Sequence, residues 1–80
     1  MSSSKSPLEL YIVETVKNKR KHLRNTQEDI ANVLGVTVGY IGQIESKKLK
    51  SMYSYDQLNE LAKFFECSPK DFMPEEPVEE

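Results

Sequence analysis

The sequence predicts an all-α protein, a five-helix bundle, and three features of its 80 residues predict it. Apolar residues recur at three-to-four spacing in the longer segments, which places them on one face of a helix. A Ser or Thr stands before each of those segments, where a helix start needs a side-chain acceptor. No segment alternates apolar and polar residues with the period of a strand, and no internal repeat is present.

Residues 1–7, MSSSKSP, are small and polar and read as a disordered lead-in. Ser6 before Pro7 has the form of an N-cap with proline in the first turn, where the missing N–H costs nothing. The first helix is expected from about Pro7 to Leu23, burying Leu8, Ile12, Val16 and Leu23 with Tyr11 beside them. Thr26 opens the second. Thr26-Gln27-Glu28-Asp29 is close to a capping box, with Asp29 as a shorter substitute for the usual Glu or Gln. That helix buries Ile30, Ala31 and Leu34 and stops at Gly35, the residue best able to take positive φ there. Thr37 caps the third helix, Val38 to Glu45, with Ile41 and Ile44 facing inward. Residues 46–53, SKKLKSMY, are polar and basic without a helical stripe and read as a loop. Ser54 caps a fourth helix, Tyr55 to about Phe65, striped by Leu58, Leu61, Ala62 and Phe65. Ser68-Pro69-Lys70-Asp71 is a second near capping box and introduces a short fifth helix ending near Met73. The tail 74–80, PEEPVEE, has two prolines and four acids and is expected to be disordered.

The chain has room for one small domain and none for a large catalytic cleft. Its hydrophobic fraction of 38% suffices for a compact core. No stretch approaches the roughly 20 apolar residues that cross a bilayer, and the polar start lacks the apolar run of a secretory signal. A cytoplasmic location and no membrane partner are therefore expected. Cys67 is the single cysteine, so an internal disulfide and a multi-cysteine metal site are excluded. No metal ligand set, catalytic residue, cofactor or small-molecule substrate is evident. Nucleophile–base pairs and phosphate-binding glycine loops are absent, so an enzyme is not expected.

The formal net charge is -2, but it is unevenly distributed. Residues 1–25 set Lys5, Lys17, Lys19, Arg20, Lys21 and Arg24 against Glu9 and Glu14. Residues 26–53 are balanced, and 54–80 set Lys63 and Lys70 against eight acids. Net charge alone therefore does not decide against a polyanionic partner.

The informative spacing lies in "TQEDIANVLGVTVGYIGQIESKK", residues 26–48. A helix that enters the major groove needs a partner helix holding it at a steep angle. That requires a small residue in the partner for close crossing, a glycine at the bend and apolar residues behind the inserted helix. Ala31, Gly35, Val36, Ile41 and Ile44 supply these at the right offsets.

With Arg20, Leu23, Thr26-Gln27, Ile30-Ala31, Leu34-Gly35-Val36, Tyr40-Ile41, Ile44-Glu45, Leu58, Leu61-Ala62 and Phe65, the sequence resembles the phage-repressor and Cro-like (XRE-type) helix-turn-helix proteins. The resemblance covers roughly 16–73. It implies a lambda-repressor-like fold over 8–73, with the motif at about 27–46, and sequence-specific binding to double-stranded DNA. It also implies a transcriptional regulator, repressor-like, acting as a homodimer on two-fold symmetric sites.

The same resemblance distributes the site residues. Gln27 matches the phosphate-contacting glutamine at the start of the second helix, where free N–H groups beside Thr26 also hold phosphate. Val38, Gly39, Gly42 and Gln43 fall on the base-reading face of the third helix, which starts at Thr37. Ser46, Lys47 and Lys48 match the stretch that grips the sugar-phosphate backbone. Arg20 and Glu45 match an inward-facing ion pair tying the first helix to the third, an architectural role.

Gln43 is the residue on that face able to bond a base bidentately, as glutamine does to adenine, and Val38 can meet a thymine methyl. Gly39 and Gly42 add no side-chain readout and weaken the helix by roughly 1 kcal/mol each relative to alanine. They admit two readings: closer seating of the helix in the groove, or packing of Gly42 against a neighbouring helix with Gly39 merely tolerated. Either way phosphate contacts are expected to supply much of the affinity and DNA shape part of the specificity.

Tyr40 has two readings as well, a contact to the sugar-phosphate backbone or a half-buried packing role. Lys17, Lys19, Lys21 and Arg24 scatter over several sides of the first helix and read mostly as solvated charges, the alternative being that Lys19 or Arg24 lies near DNA. His22, without partners, reads as a surface histidine, and Cys67 as a half-buried structural thiol. Glu66 departs from the family, which has glycine at the end of the fourth helix, and must bear left-handed geometry or end the helix differently. Phe72, Met73 and Val78 either form a dimer contact or close the core. The alternative to a DNA-binding role is a helix-turn-helix-derived module that meets another protein, such as an accessory or antirepressor-like factor. The acidic balance and the two glycines favour it.

Overall fold

A computed structural model describes residues 5–79. Four α-helices follow one another, α1 Pro7–His22, α2 Gln27–Leu34, α3 Val38–Glu45 and α4 Tyr55–Phe65. The expected fifth helix is instead one 3-10 turn, Pro69–Phe72. Four residues close no complete α-helical ladder, and Ser68 and Asp71 satisfy both ends of this turn locally, so tighter winding costs little. No strand occurs among the described residues.

Side chains placed in the sequence to satisfy orphan backbone groups set the helix ends. Ser6 Oγ accepts from the Glu9 N–H at 3.1 Å while the Glu9 carboxylate accepts from the Ser6 N–H at 2.9 Å. The same reciprocal box forms at Thr26/Asp29, Ser54/Gln57 and Ser68/Asp71, each worth about 1 kcal/mol against alanine at the cap. Gly35 ends α2 at φ +70°, which brings the Val36 N–H to the Ala31 carbonyl at 3.0 Å. Two non-glycine residues also take left-handed geometry. Arg24 at φ 63° ends α1, and Glu66 at φ 60° ends α4, bringing the Cys67 N–H to Ala62 at 2.9 Å. Each bears about 1–2 kcal/mol of strain that glycine would not.

α2 packs against α3 and α4, while α1 packs against α3 and the 3-10 turn. The core holds Ile12, Val13 and Val16 from α1, Ile30 and Ala31 from α2, Ile41 and Ile44 from α3, and Leu58, Leu61, Ala62 and Phe65 from α4. Phe72 is fully buried and closes it, its ring edge-on to Phe65 at 6.2 Å. Phe72 therefore belongs to the core and not to a dimer surface, whereas Met73 is 43% exposed. Burial of each large aliphatic side chain contributes about 1.5–3 kcal/mol.

Five expectations about burial change. Leu23 is exposed, because α1 ends one residue earlier and the chain swings away at Arg24. Tyr11 stands at the edge of the stripe and is exposed, while Val13 takes the core place beside Ile12. Leu8 and Leu34 are only partly buried. Tyr53, read as part of a polar loop, is a core residue at 5% exposure.

The expected lead-in 1–7 divides: Met1–Ser4 lie outside the described residues, Lys5 is buried, and Ser6 and Pro7 cap and begin α1. Residues 74–79 form no helix, and Glu80 lies outside the described residues.

Candidate nucleic-acid interface

α3 has two unlike sides. Ile41 and Ile44 are fully buried against the bundle, while Val38, Gly39 and Gln43 are exposed and Gly42 is partly so. No other part of the described chain covers the outward side. A methyl built on Gly39 meets no atom within 4 Å, and one on Gly42 meets only Gln27 Oε1 at 3.9 Å, an ordinary contact. The packing reading of Gly42 therefore fails: neither glycine is required by the protein's own interior.

The caps at the two helix starts are local. Thr26 Oγ1 accepts from the Asp29 N–H at 3.0 Å and Thr37 Oγ1 from the Tyr40 N–H at 3.1 Å. Each threonine hydroxyl keeps its own proton to donate outward. The Asp29 carboxylate is turned back onto the Thr26 N–H at 2.8 Å.

A buried polar network joins α1, α2 and α3. The Arg20 guanidinium grips the Glu45 carboxylate with two parallel bonds, Nε to Oε2 at 2.9 Å and a terminal nitrogen to Oε1 at 3.0 Å. The other terminal nitrogen donates to the Asn25 carbonyl at 2.9 Å. This fork geometry is the strong form of a charged hydrogen bond. Gln27 Nε2 also donates to Glu45 Oε1, at 2.9 Å. Gln27 thus lies across the α2–α3 crossing with one amide proton engaged and its second left to donate elsewhere. Its orientation is set by α3 and not by its own helix.

Tyr53 lies near this network. Its buried hydroxyl has no partner among the described residues, and burial, reinforced by Glu45 and opposed by Arg20, raises its pKa above the ordinary tyrosine value.

Tyr40 is half-buried against the core and its hydroxyl donates to the Met52 carbonyl at 3.4 Å. Gln43 extends outward, its Oε1 accepting from Ser51 Oγ at 3.3 Å, with its amide NH₂ unengaged. After α3, Ser46 Oγ accepts from the Lys48 N–H at 3.2 Å, forming a small turn from which Lys47, Lys48 and Lys50 project exposed. Lys5 donates to the carbonyls of Ser46 and Leu49.

The structure therefore brings Gln27, the outward side of α3 and the Ser46–Lys48 turn onto connected backbone, with Arg20 and Glu45 beneath them. Sequence reasoning gives no such role to Lys5, Asn25, Ser51 or Tyr53. Their partners lie from five to 44 positions away along the chain, or are lacking, so no local motif marks them.

A short helix propped outward on two others, with an uncovered outer side and a basic turn behind it, defines a helix-turn-helix protein. A family model described as helix-turn-helix matches residues 16–72, and the chain belongs to this XRE-type, Cro/C1-like family of DNA-binding regulators. Neither a curated relative nor a solved structure matches it. No helix among the described residues is long and apolar enough to cross a membrane.

Proposed function

We propose that this protein binds double-stranded DNA sequence-specifically and acts as a repressor-like transcriptional regulator, inserting α3 into the major groove. The observation that carries the reading is the uncovered side of α3, Val38, Gly39, Gly42 and Gln43, backed by the fully buried Ile41 and Ile44. A surface helix of eight residues with two glycines on its outer side is poorly stabilised by its own sequence, and close seating against an external groove gives those glycines a role. In this reading Gln43 and Val38 read bases. Thr26, Gln27, Thr37, Ser46, Lys47 and Lys48 hold phosphates, and Tyr40 braces the loop further on through its bond to the Met52 carbonyl. Specificity on one short helix covers few base pairs, so the protein acts as a homodimer on half-sites about one helical turn apart. Met73 and Val78 are the C-terminal apolar groups left for that contact.

A salt titration on duplexes selected from a random pool tests it. Log affinity should fall against log salt concentration with a slope of about -0.9 for each phosphate engaged. Lys47→Ala with Lys48→Ala should weaken all duplexes alike, whereas Gln43→Ala should reduce discrimination between cognate and random sequence. Absence of affinity for any duplex at low ionic strength would end this reading. One observation favours a protein partner instead: an open apolar groove between Leu8, Ile12, Met52, Leu58 and Met73. Binding there would be nearly insensitive to salt.

A further inference from the structure

Lys5 stands two residues before α1, yet its side chain is fastened to a part of the chain more than 40 positions away. Its ammonium donates to the Ser46 carbonyl and to the Leu49 carbonyl, each at 2.6 Å, and the residue is only 5% exposed. Those two carbonyls bracket Lys47 and Lys48. Ser46 is the C-cap of α3, so the ammonium sits at the partially negative end of that helix, where a cation is favoured.

The turn it holds has little to order it otherwise. Among the described residues, the Lys48 N–H bonds Ser46 Oγ within the turn, and no backbone N–H of Lys47–Lys50 bonds a residue outside it. Three of these four residues are lysines, whose mutual repulsion favours a spread of conformations. A turn of this kind presents its charges to a phosphate backbone in one geometry only if something outside it fixes its carbonyls.

Resting on the DNA-binding reading above, we propose that Lys5 is a positioning residue for DNA binding: it pins the Ser46–Leu49 turn so that Lys47 and Lys48 meet the phosphate backbone. Lys5 is not itself a phosphate ligand, because its ammonium is buried and two of its three N–H donors are engaged.

The test uses the full chain and two readouts. Without DNA, backbone order parameters for Lys47–Lys50 should fall in Lys5→Met from the rigid range of about 0.85 towards about 0.6, with α1–α4 unchanged. With DNA, Lys5→Met should weaken binding about tenfold and make the salt slope shallower by about 0.9 for each phosphate that the turn no longer reaches. In the Lys47→Ala, Lys48→Ala background the same substitution should cost less than about twofold, because residues acting through one another are not additive. Lys63→Met, which removes an exposed charge from α4, controls for net charge and should leave the slope unchanged.

An unchanged turn in Lys5→Met, or an equal loss of affinity in both backgrounds, overturns the proposal. If the wild type binds no duplex, the DNA reading falls and the phosphate role with it, while the order parameters still report whether Lys5 holds the turn. Should Lys5→Met fail to fold by circular dichroism, Lys5→Gln carries the same comparisons.

Discussion

Replacing Gly39 and Gly42 with alanine separates what stabilises this bundle from what lets it bind. A Cβ at Gly39 enters open space and one at Gly42 meets only the end of the Gln27 side chain at 3.9 Å, so neither methyl clashes. Neither glycine takes positive φ, so alanine fits the backbone as it stands. The intrinsic gain of alanine over glycine is about 0.8–1.0 kcal/mol within a helix. Gly42 should deliver most of that, and Gly39, in the first turn, about half. The double variant should therefore be about 1–1.5 kcal/mol more stable, raising the melting temperature by roughly 4–8 °C per kcal/mol in a domain of this size. DNA binding should move the other way: two methyls on the inserted face hold the helix off the groove, and affinity for a selected duplex should fall at least about tenfold, or about 1.4 kcal/mol. Circular dichroism melting and fluorescence anisotropy on the same preparations read both quantities. A lower melting temperature would refute the open-face geometry. A higher melting temperature with undiminished affinity would refute close seating as the reason for the glycines.

Arg20→Met leaves the buried Glu45 carboxylate without its guanidinium and should cost about 3–5 kcal/mol, most of it recovered by adding Glu45→Leu; a loss below about 1 kcal/mol in urea unfolding would contradict the buried fork. Tyr53→Phe removes a buried hydroxyl with no partner and should be neutral or stabilising by up to about 1 kcal/mol, whereas a clear loss of stability would reveal a partner. Because the folded phenol of Tyr53 titrates above its unfolded value of 10.0, its contribution is present below that pH and lost as the unfolded chain ionises above it. Alkaline melting of wild type should thus fall more steeply than that of Tyr53→Phe. Glu66→Gly relieves the φ 60° strain at the end of α4 and should add about 0.5–1 kcal/mol after the added chain entropy of glycine; a lower melting temperature would show that the Glu66 side chain matters there.

The helix starts are legible in the residues because their causes are local. Ser6, Thr26, Thr37, Ser54 and Ser68 each satisfy an N–H two or three positions on, within reach of any chain that attempts a helix there. Gly35 is legible for the same reason, and so are the inward faces of α3 and α4, which periodicity alone specifies. The Arg20–Glu45 pair comes from family resemblance, since nothing in the spacing of two residues 25 apart requires them to meet.

Long-range packing settles the remainder. The anchoring of Gln27 by Glu45, the burial of Tyr53 and the reach of Lys5 to Ser46 and Leu49 each depend on how helices cross, not on the residues beside them. The same holds for the outer side of α3. Residue types suggest which groups lie there, but an open surface is a property of every other element's position, and it becomes visible only once all four helices are in place. Local hydrogen bonds are encoded within a few residues, whereas burial and long-range contacts follow from the closed arrangement of the whole chain.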